Sequence, residues 1–364
     1  MSALTVILFL AGLVLLIGGG ELLVRGASRL AVALGISPLI IGLTIVAFGT
    51  SAPELAVSVG ASLAGQPDIT LGNVVGSNIF NVLFILGVSA LVVPLAIARQ
   101  LMRFGVPAMV VVSLLVALVG RDGVIDRIEG MVLFLGLFAY IGSLAWASRR
   151  ERADVRKKYA ISIRTTPVKA KGTGLKGVVM ALAGLGVLML GARWLVNSAV
   201  EIATALGVSK LIIGLTVVAA GTSLPELATS VVASIRGERD LAVGNIVGSN
   251  IFNILAVLGL SAAVTSHGVP VSEGALHFDI PVMIAAAVAC LPIFFTGQII
   301  SRWEGVLFVG YYGAYATYLI MEVAIRSTLV TFSWAMRGFA IPLTAVVLGF
   351  SLGRAVFRKA RPFK

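Results

Sequence analysis

The chain has 364 residues, of which 59% are hydrophobic and 12% charged, and a formal net charge of +12 at pH 7. A soluble domain carries about 25% charged residues, so this composition excludes a soluble enzyme and points to a bilayer as solvent. The basic excess does not describe a nucleic-acid binder either, because Lys and Arg fall between or after apolar segments, as in the positive-inside pattern of multipass membrane proteins.

The first apolar run, Leu4 to Leu23, lacks a basic start, carries Glu21 near its end and continues into Arg25. It is therefore expected to be retained as the first span and not removed as a signal peptide. Further along, Val106 to Val119, Met131 to Trp146, Gly177 to Leu195 and Phe278 to Phe295 each approach the ~20 apolar residues that cross a hydrocarbon core. With the segments between them, the chain reads as ten spans, and an eleventh is expected at 337–357.

Charge sets the expected orientation. The densest basic cluster runs from Arg149 to Lys176, and the tail adds Arg354, Arg358, Lys359, Arg361 and Lys364. Both are expected in the cytoplasm, together with Arg99, Arg103, Arg236 and Arg239, whereas Arg121 and Arg127 with Asp122, Asp126 and Glu129 fall outside. The N-terminus is then external, and the C-terminus is cytoplasmic if 337–357 crosses. The expected organisation is a first five-helix repeat (1–148), a basic cytoplasmic linker (149–174), a second repeat (175–325) and an extra span with a basic tail (326–364). A cell (plasma or bacterial inner) membrane is the expected location.

Cys290 is the single cysteine, so neither a disulfide nor a thiolate metal site can form within one chain. His267 and His277 fall in a predicted external loop, where a solvated role is expected. No cofactor is expected.

The chain repeats itself. Leu34 to Gly87 matches Leu206 to Gly259 without a gap, with about two-thirds of positions identical. Five spans per half is an odd number, so the second copy enters the bilayer upside down. Inverted repeats of this kind build secondary transporters with a midplane site where the halves meet.

Each copy carries Gly-Thr-Ser-x-Pro-Glu, at Gly49 to Glu54 and Gly221 to Glu226. Proline inside a helix removes a donor and clashes with the carbonyl four residues back, so Pro53 and Pro225 are expected to loosen the carbonyls of Gly49 and Gly221. Thr50 and Glu54 lie four apart, as do Thr222 and Glu226, which places hydroxyl and carboxylate on one helix face. Such an oxygen-rich nest suits a hard cation. Downstream, each copy has Gly-Asn-x-Val-Gly-Ser-Asn-Ile-Phe-Asn, at Gly72 to Asn81 and Gly244 to Asn253. Asn73, Ser77 and Asn81 form one stripe at helical spacing, and Asn245, Ser249 and Asn253 repeat it. Small-residue stripes by themselves serve packing. Duplicated glutamates do not, because a charge at the bilayer centre costs ~2.5–3.5 kcal/mol on insertion scales and marks a functional site.

Charge also selects the ligand. If Glu54 and Glu226 approach within ~5 Å at an effective dielectric of ~20, they repel by about 3 kcal/mol. Neither motif contains Lys or Arg, so the counter-charge is expected to be a transported cation or a proton. One divalent ion or two monovalent ions can offset both carboxylates, and competition between these occupancies is a physical basis for exchange.

In these motifs the sequence resembles the calcium/cation antiporter superfamily, in its prokaryotic branch of sodium/calcium exchanger-like proteins. The resemblance implies an all-α integral membrane protein with two inverted five-helix repeats, exchanging calcium or a related divalent cation for sodium by alternating access. It implies a calcium site made of Glu54 and Glu226 with oxygens of Thr50 and Thr222. It also implies flanking sodium sites joined by Ser51, Ser77, Ser223 and Ser249, with Asn81 and Asn253 near the centre. Well-known sodium/calcium exchangers place an aspartate at one of the two positions held here by Asn81 and Asn253, so this chain has one carboxylate fewer. That leaves proton coupling open beside sodium coupling. A passive channel would more naturally build its filter from symmetry-related subunits. An intramembrane enzyme would need a nucleophile beside the glutamates, and the motifs contain no His pair or Cys cluster. The expected partners are lipid and inorganic cations, and no nucleic acid.

Overall fold

A computed structural model describes residues 3–162, 173–207, 219–295 and 299–324. In the first half, α1 (Ala3–Leu34) is followed by a broken span, α2 (Pro38–Thr50) and α3 (Ala52–Leu63), bent by 45°. The half continues with α4 (Asp68–Val92), α5 (Leu101–Asp122) and α6 (Arg127–Ser162). The second half contains α7 (Thr173–Ala205), α8 (Leu224–Ile235), α9 (Arg239–Val264), α10 (Ile280–Phe295) and α11 (Arg302–Ala324). By length and composition, six helices among the described residues can cross a membrane, and the α2–α3 pair makes a seventh. α8 and α10 are shorter apolar helices, and α11, though 23 residues long, is diluted by Tyr311, Tyr312, Tyr315 and Tyr318. Together they complete two five-span halves. The eleventh span expected at 337–357 lies outside the described residues.

The helices outrun the apolar runs that announce them. α1 continues to Leu34 because Arg25 and Arg29 point outward while Leu23, Val24, Ala27 and Leu30 stay buried. His277 is a correction to the expected loop position. It sits exposed in a π-helical turn, Ala275–Asp279, that leads into α10, 3.3 Å from Glu273. His267 is exposed between α9 and α10, and Cys290 is buried.

The inversion is visible in how equivalent helices meet. α1 and α7, the first helix of each half, run antiparallel in backbone contact. A Cβ added to Gly12 would lie 2.9 Å from the Gly191 carbonyl oxygen, and one on Gly26 would lie 2.5 Å from the Ala181 nitrogen. Gly19 and Gly184 meet midway, and a Cβ on Gly184 would stand 2.5 Å from the Leu23 nitrogen. Small residues spaced for close approach are the ordinary way to join helices in lipid, where no hydrophobic force separates one apolar surface from another. Two short antiparallel ribbons also tie the halves together. β1 (Leu95–Ala96) pairs with β4 (Ile299–Ile300), and β2 (Val124–Ile125) pairs with β3 (Val269–Pro270). β1 follows α4 and β2 follows α5, so one ribbon lies at each end of the bundle.

Burial separates centre from rim. The apolar windows of α4 and α9 are 78% and 89% buried, against 22–33% for α1, α5, α6 and α7. The helices carrying the second repeated motif are therefore the core of the protein, and the others shield them from lipid.

Candidate functional site

The first repeated motif lies at two helix breaks. Ser51, with φ −80° and ψ 6°, leaves helical geometry between α2 and α3, and Ser223, with φ −90° and ψ 9°, does the same before α8. The break expected beside each proline falls at the serine two residues before it. Pro53 and Pro225 occupy the first turn of a new helix, where a missing N–H has no cost because that donor would be unpaired anyway. Both glutamates then fall in the first turns of α3 and α8, the electropositive end of a helix, which favours a carboxylate.

Glu54 and Glu226 are fully buried, and each is held by the serine of the opposite half. Ser51 Oγ donates to Glu226 Oε1 at 3.0 Å, and Ser223 Oγ donates to Glu54 Oε1 at 2.8 Å. Ser249 Oγ lies 3.5 Å from Glu226 Oε1 and 3.4 Å from Thr50 Oγ1. Among the described residues, the second oxygen of each glutamate, Oε2, has no hydrogen-bond partner. No ion pair within 4.0 Å involves either glutamate among the described residues. Buried carboxylates without a cationic partner are costly unless something else supplies the charge.

The threonines sit behind the carboxylates. Thr50 Oγ1 lies 3.1 Å from the Val46 carbonyl and 3.1 Å from Asn245 Oδ1, and Thr222 Oγ1 lies 3.5 Å from Asn73 Oδ1. Asn73 Nδ2 in turn donates to Ser58 Oγ at 2.9 Å, as Asn245 Nδ2 does to Ser230 Oγ at 3.0 Å. Asn73 and Asn245, the outer members of the predicted stripes, thus brace α4 on α3 and α9 on α8 and hold the threonines from behind.

The inner members behave differently. Asn81 and Asn253 are fully buried, Asn81 as the second residue of the π-helical turn Phe80–Ile85 and Asn253 as the first of Asn253–Leu258. A π turn inserts an extra residue into the helix and recurs at functional sites. Asn81 Nδ2 donates to Asn250 Oδ1 at 3.0 Å and Asn253 Nδ2 to Asn78 Oδ1 at 3.1 Å, while the Oδ1 atoms of Asn81 and Asn253 lack partners among the described residues. Ser77 Oγ is likewise buried without a partner. Asn78 and Asn250 were not among the residues expected from the sequence, although both stand inside the quoted motif. Their signal was the doubled Ser-Asn pair followed three residues later by another Asn.

Thr50, Ser51, Glu54, Ser223, Glu226 and Ser249 are joined by the contacts above, Thr222 is half-buried in the turn before Ser223, and Ser77, Asn81 and Asn253 lie buried on α4 and α9. They offer oxygen atoms of two carboxylates, two carboxamides and several hydroxyls. Among the described residues, no three His, Cys, Asp or Glu side chains gather into a denser metal cluster. Hard-cation chemistry with few charges and many neutral oxygens is what this set can perform.

Comparison with known proteins agrees with this chemistry. The inner membrane protein YrbG of Escherichia coli K12 is 41% identical over 265 residues, covering 71% of this chain and 79% of its own. The sodium/calcium exchanger MaX1 of Methanosarcina acetivorans is 33% identical over 343 residues, covering 86% of this chain and 97% of its own. A solved structure of the sodium-calcium exchanger NCX_Mj, soaked with zero Na+ and Ca2+, matches with a TM-score of 0.73 at 31% identity, over 86% of this chain and 97% of that chain. The family described as sodium/calcium exchanger protein matches residues 4–146 and 176–321, one stretch in each inverted half. With its paired breaks, paired glutamates and paired matches, the chain belongs to the sodium/calcium exchanger protein family of cation antiporters.

Proposed function

We propose that this antiporter exchanges calcium for sodium across a cell (plasma or bacterial inner) membrane, with calcium held between Glu54 and Glu226. The observation that carries the reading is the reciprocal bonding of the two halves. Each glutamate is tied through Oε1 to a serine of the other half, and its Oε2 stays buried without a donor. Calcium takes six to eight oxygens at flexible geometry. Glu54, Glu226, Thr50 and Thr222 supply oxygens on the break side, and Asn81 and Asn253 supply them on the α4 and α9 side. Ser51, Ser77, Ser223 and Ser249 flank the carboxylates and complete smaller sites for sodium. One calcium ion offsets both carboxylates, as two sodium ions do from neighbouring sites, so the two cargoes compete for one set of charges.

The same reading assigns 1–148 and 175–325 to the two halves and 149–174 to a cytoplasmic linker, with the N-terminus external. It describes transport with no chemical step and no resident cofactor. The test is calcium uptake into proteoliposomes holding the full chain, driven by an outward sodium gradient or, separately, by a pH gradient. Uptake under sodium alone supports the proposal, uptake under the pH gradient alone replaces sodium by protons, and uptake without any counter-ion makes the protein a channel. Glu54→Gln and Glu226→Gln should each abolish sodium-driven uptake while leaving the protein in the membrane. Normal rates in either variant would move the site elsewhere.

A further inference from the structure

We infer that Asn78 and Asn250 are positioning residues that fix the amide orientation of Asn253 and Asn81, so that both central asparagines offer only carbonyl oxygen to the cation. This deepens the proposed function and rests on its placement of Asn81 and Asn253 at the calcium site.

The two ends of a carboxamide are nearly the same size, so its orientation is decided by hydrogen bonds alone. An isolated asparagine at a cation site could turn its NH2 inward, which would repel the ion. Here the choice is fixed by groups that cannot turn. Asn78 Nδ2 lies 3.2 Å from the backbone carbonyl of Asn250, and Asn250 Nδ2 lies 3.4 Å from the backbone carbonyl of Asn78. A backbone carbonyl in a helix only accepts, so the NH2 end of each amide must face it. Thioethers stand on the same side, Met283 Sδ at 3.7 Å from Asn78 Nδ2 and Met109 Sδ at 3.3 Å from Asn250 Nδ2. With their nitrogens so committed, Asn78 and Asn250 can present only Oδ1 to their other neighbours.

Those neighbours are the central asparagines. Asn253 Nδ2 donates to Asn78 Oδ1 at 3.1 Å, and Asn81 Nδ2 donates to Asn250 Oδ1 at 3.0 Å. Their Oδ1 atoms are left as buried acceptors without any donor. Rotating either central amide would set oxygen against oxygen and leave its NH2 unpaired. All four side chains are buried, with at most 2% exposure, so water does not offer an easy substitute. The quartet is also crossed between halves, since each α4 asparagine is oriented by an α9 asparagine and each α9 asparagine by one of α4. The two halves therefore set the polarity of each other's ligand.

Groups that orient a metal ligand typically change metal affinity 10–100-fold when replaced. In proteoliposomes under a sodium gradient, Asn78→Ser and Asn250→Ser should raise the calcium KM by about 10-fold or more, with Vmax falling by less than half. A purely structural role would lower Vmax through loss of folded protein and leave KM alone. Asn78→Leu and Asn250→Leu keep the branched shape but remove the acceptor that holds the central amide, so they should raise KM as well, and they carry the test if the serine variants do not insert. Asn253→Ala is the control in the same assay. If it raises KM while all four variants at 78 and 250 leave it unchanged, the orienting role is overturned and the calcium site stands. If Asn253→Ala also leaves KM unchanged, the placement of Asn253 at the site falls, and the inference with it.

Discussion

At the scale of single residues, the missing carboxylate has a geometric consequence. Asn253 donates to an oxygen, Asn78 Oδ1, so Asn253→Asp replaces a donor by an acceptor at a contact that needs a donor. The acid form of the introduced carboxyl can restore that bond, whereas its ionised form sets oxygen against oxygen but adds charge beside the cation. The ratio of calcium affinity between this variant and the wild type should therefore change with pH. Measuring uptake KM from pH 6 to 9 checks this, and identical profiles would place Asn253 outside the ion path. Asn245→Asp should change KM less, because Asn245 braces Thr50 and Ser230 and does not reach the centre. Much of this was legible in the sequence: two glutamates repeated at equivalent places within apolar spans have few other uses. Asn78 and Asn250 left only the weaker signal of the doubled Ser-Asn pair, because strict four-residue spacing turns them away from the stripe of Ser77 and Asn81. Only the cross-half contacts and the π turns, which depend on tertiary packing, show that they face the partner half.

At the scale of helices, the motif glycines divide: Gly244 and Gly248 meet the backbone of Leu39 and Leu43, whereas Gly72 and Gly76 meet nothing within 4 Å. The α1–α7 contact, outside the motifs, is another close backbone approach. A Cβ on Gly184 would stand 2.5 Å from the Leu23 nitrogen and 2.8 Å from the Gly19 carbonyl, and backbone cannot rotate aside as a side chain does. Gly186, two residues on, meets nothing within 4 Å. Gly184→Ala should therefore destabilise the protein by about 1–3 kcal/mol, the usual cost of overpacking, and lower its unfolding temperature in detergent. Gly186→Ala should not, and its higher helix propensity adds a gain of up to ~1 kcal/mol. Equal unfolding temperatures for the two variants would mean that α1 and α7 are not in backbone contact. That the helix breaks beside each proline was legible in the sequence, but the residue at which it ends was not. A proline in an apolar run looks like a kink within one helix, whereas Ser51 and Ser223 end one helix and Pro53 and Pro225 sit in the first turn of the next.

At the scale of the whole molecule, the repeat makes the two halves nearly equivalent, and the departures from equivalence decide which access state is favoured. One departure is an ion-pair group near one end of α1. Glu21 pairs with Arg25 in the same helix and with Arg236 at the end of α8, whose Nη2 and Nε lie 2.5 and 2.7 Å from its oxygens. In the aligned second half, the equivalents of Glu21, Arg25 and Arg236 are Arg193, Asn197 and Ala64, so this set cannot form the same tie there. α1 is thus fastened to the α8–α9 turn at one end of the bundle only. An antiporter that alternates between two access states needs them close in energy, and a tie present in only one state lowers that state alone. The side chains of Arg25 and Arg236 are 56% and 51% exposed, so solvent screening holds the contribution to about 0.2–1 kcal/mol. Converted at 1.4 kcal/mol per tenfold, that is about a 1.4- to 5-fold change in the balance between states. Arg236→Gln should therefore change the ratio of calcium half-saturation measured at the two membrane faces by that factor, with the product of the two changed much less. Sided proteoliposomes, assayed for uptake and efflux with the same sodium gradient reversed, measure both values. A ratio equal to that of the wild type would show that the Glu21 group fastens α1 equally in both states and contributes only to stability.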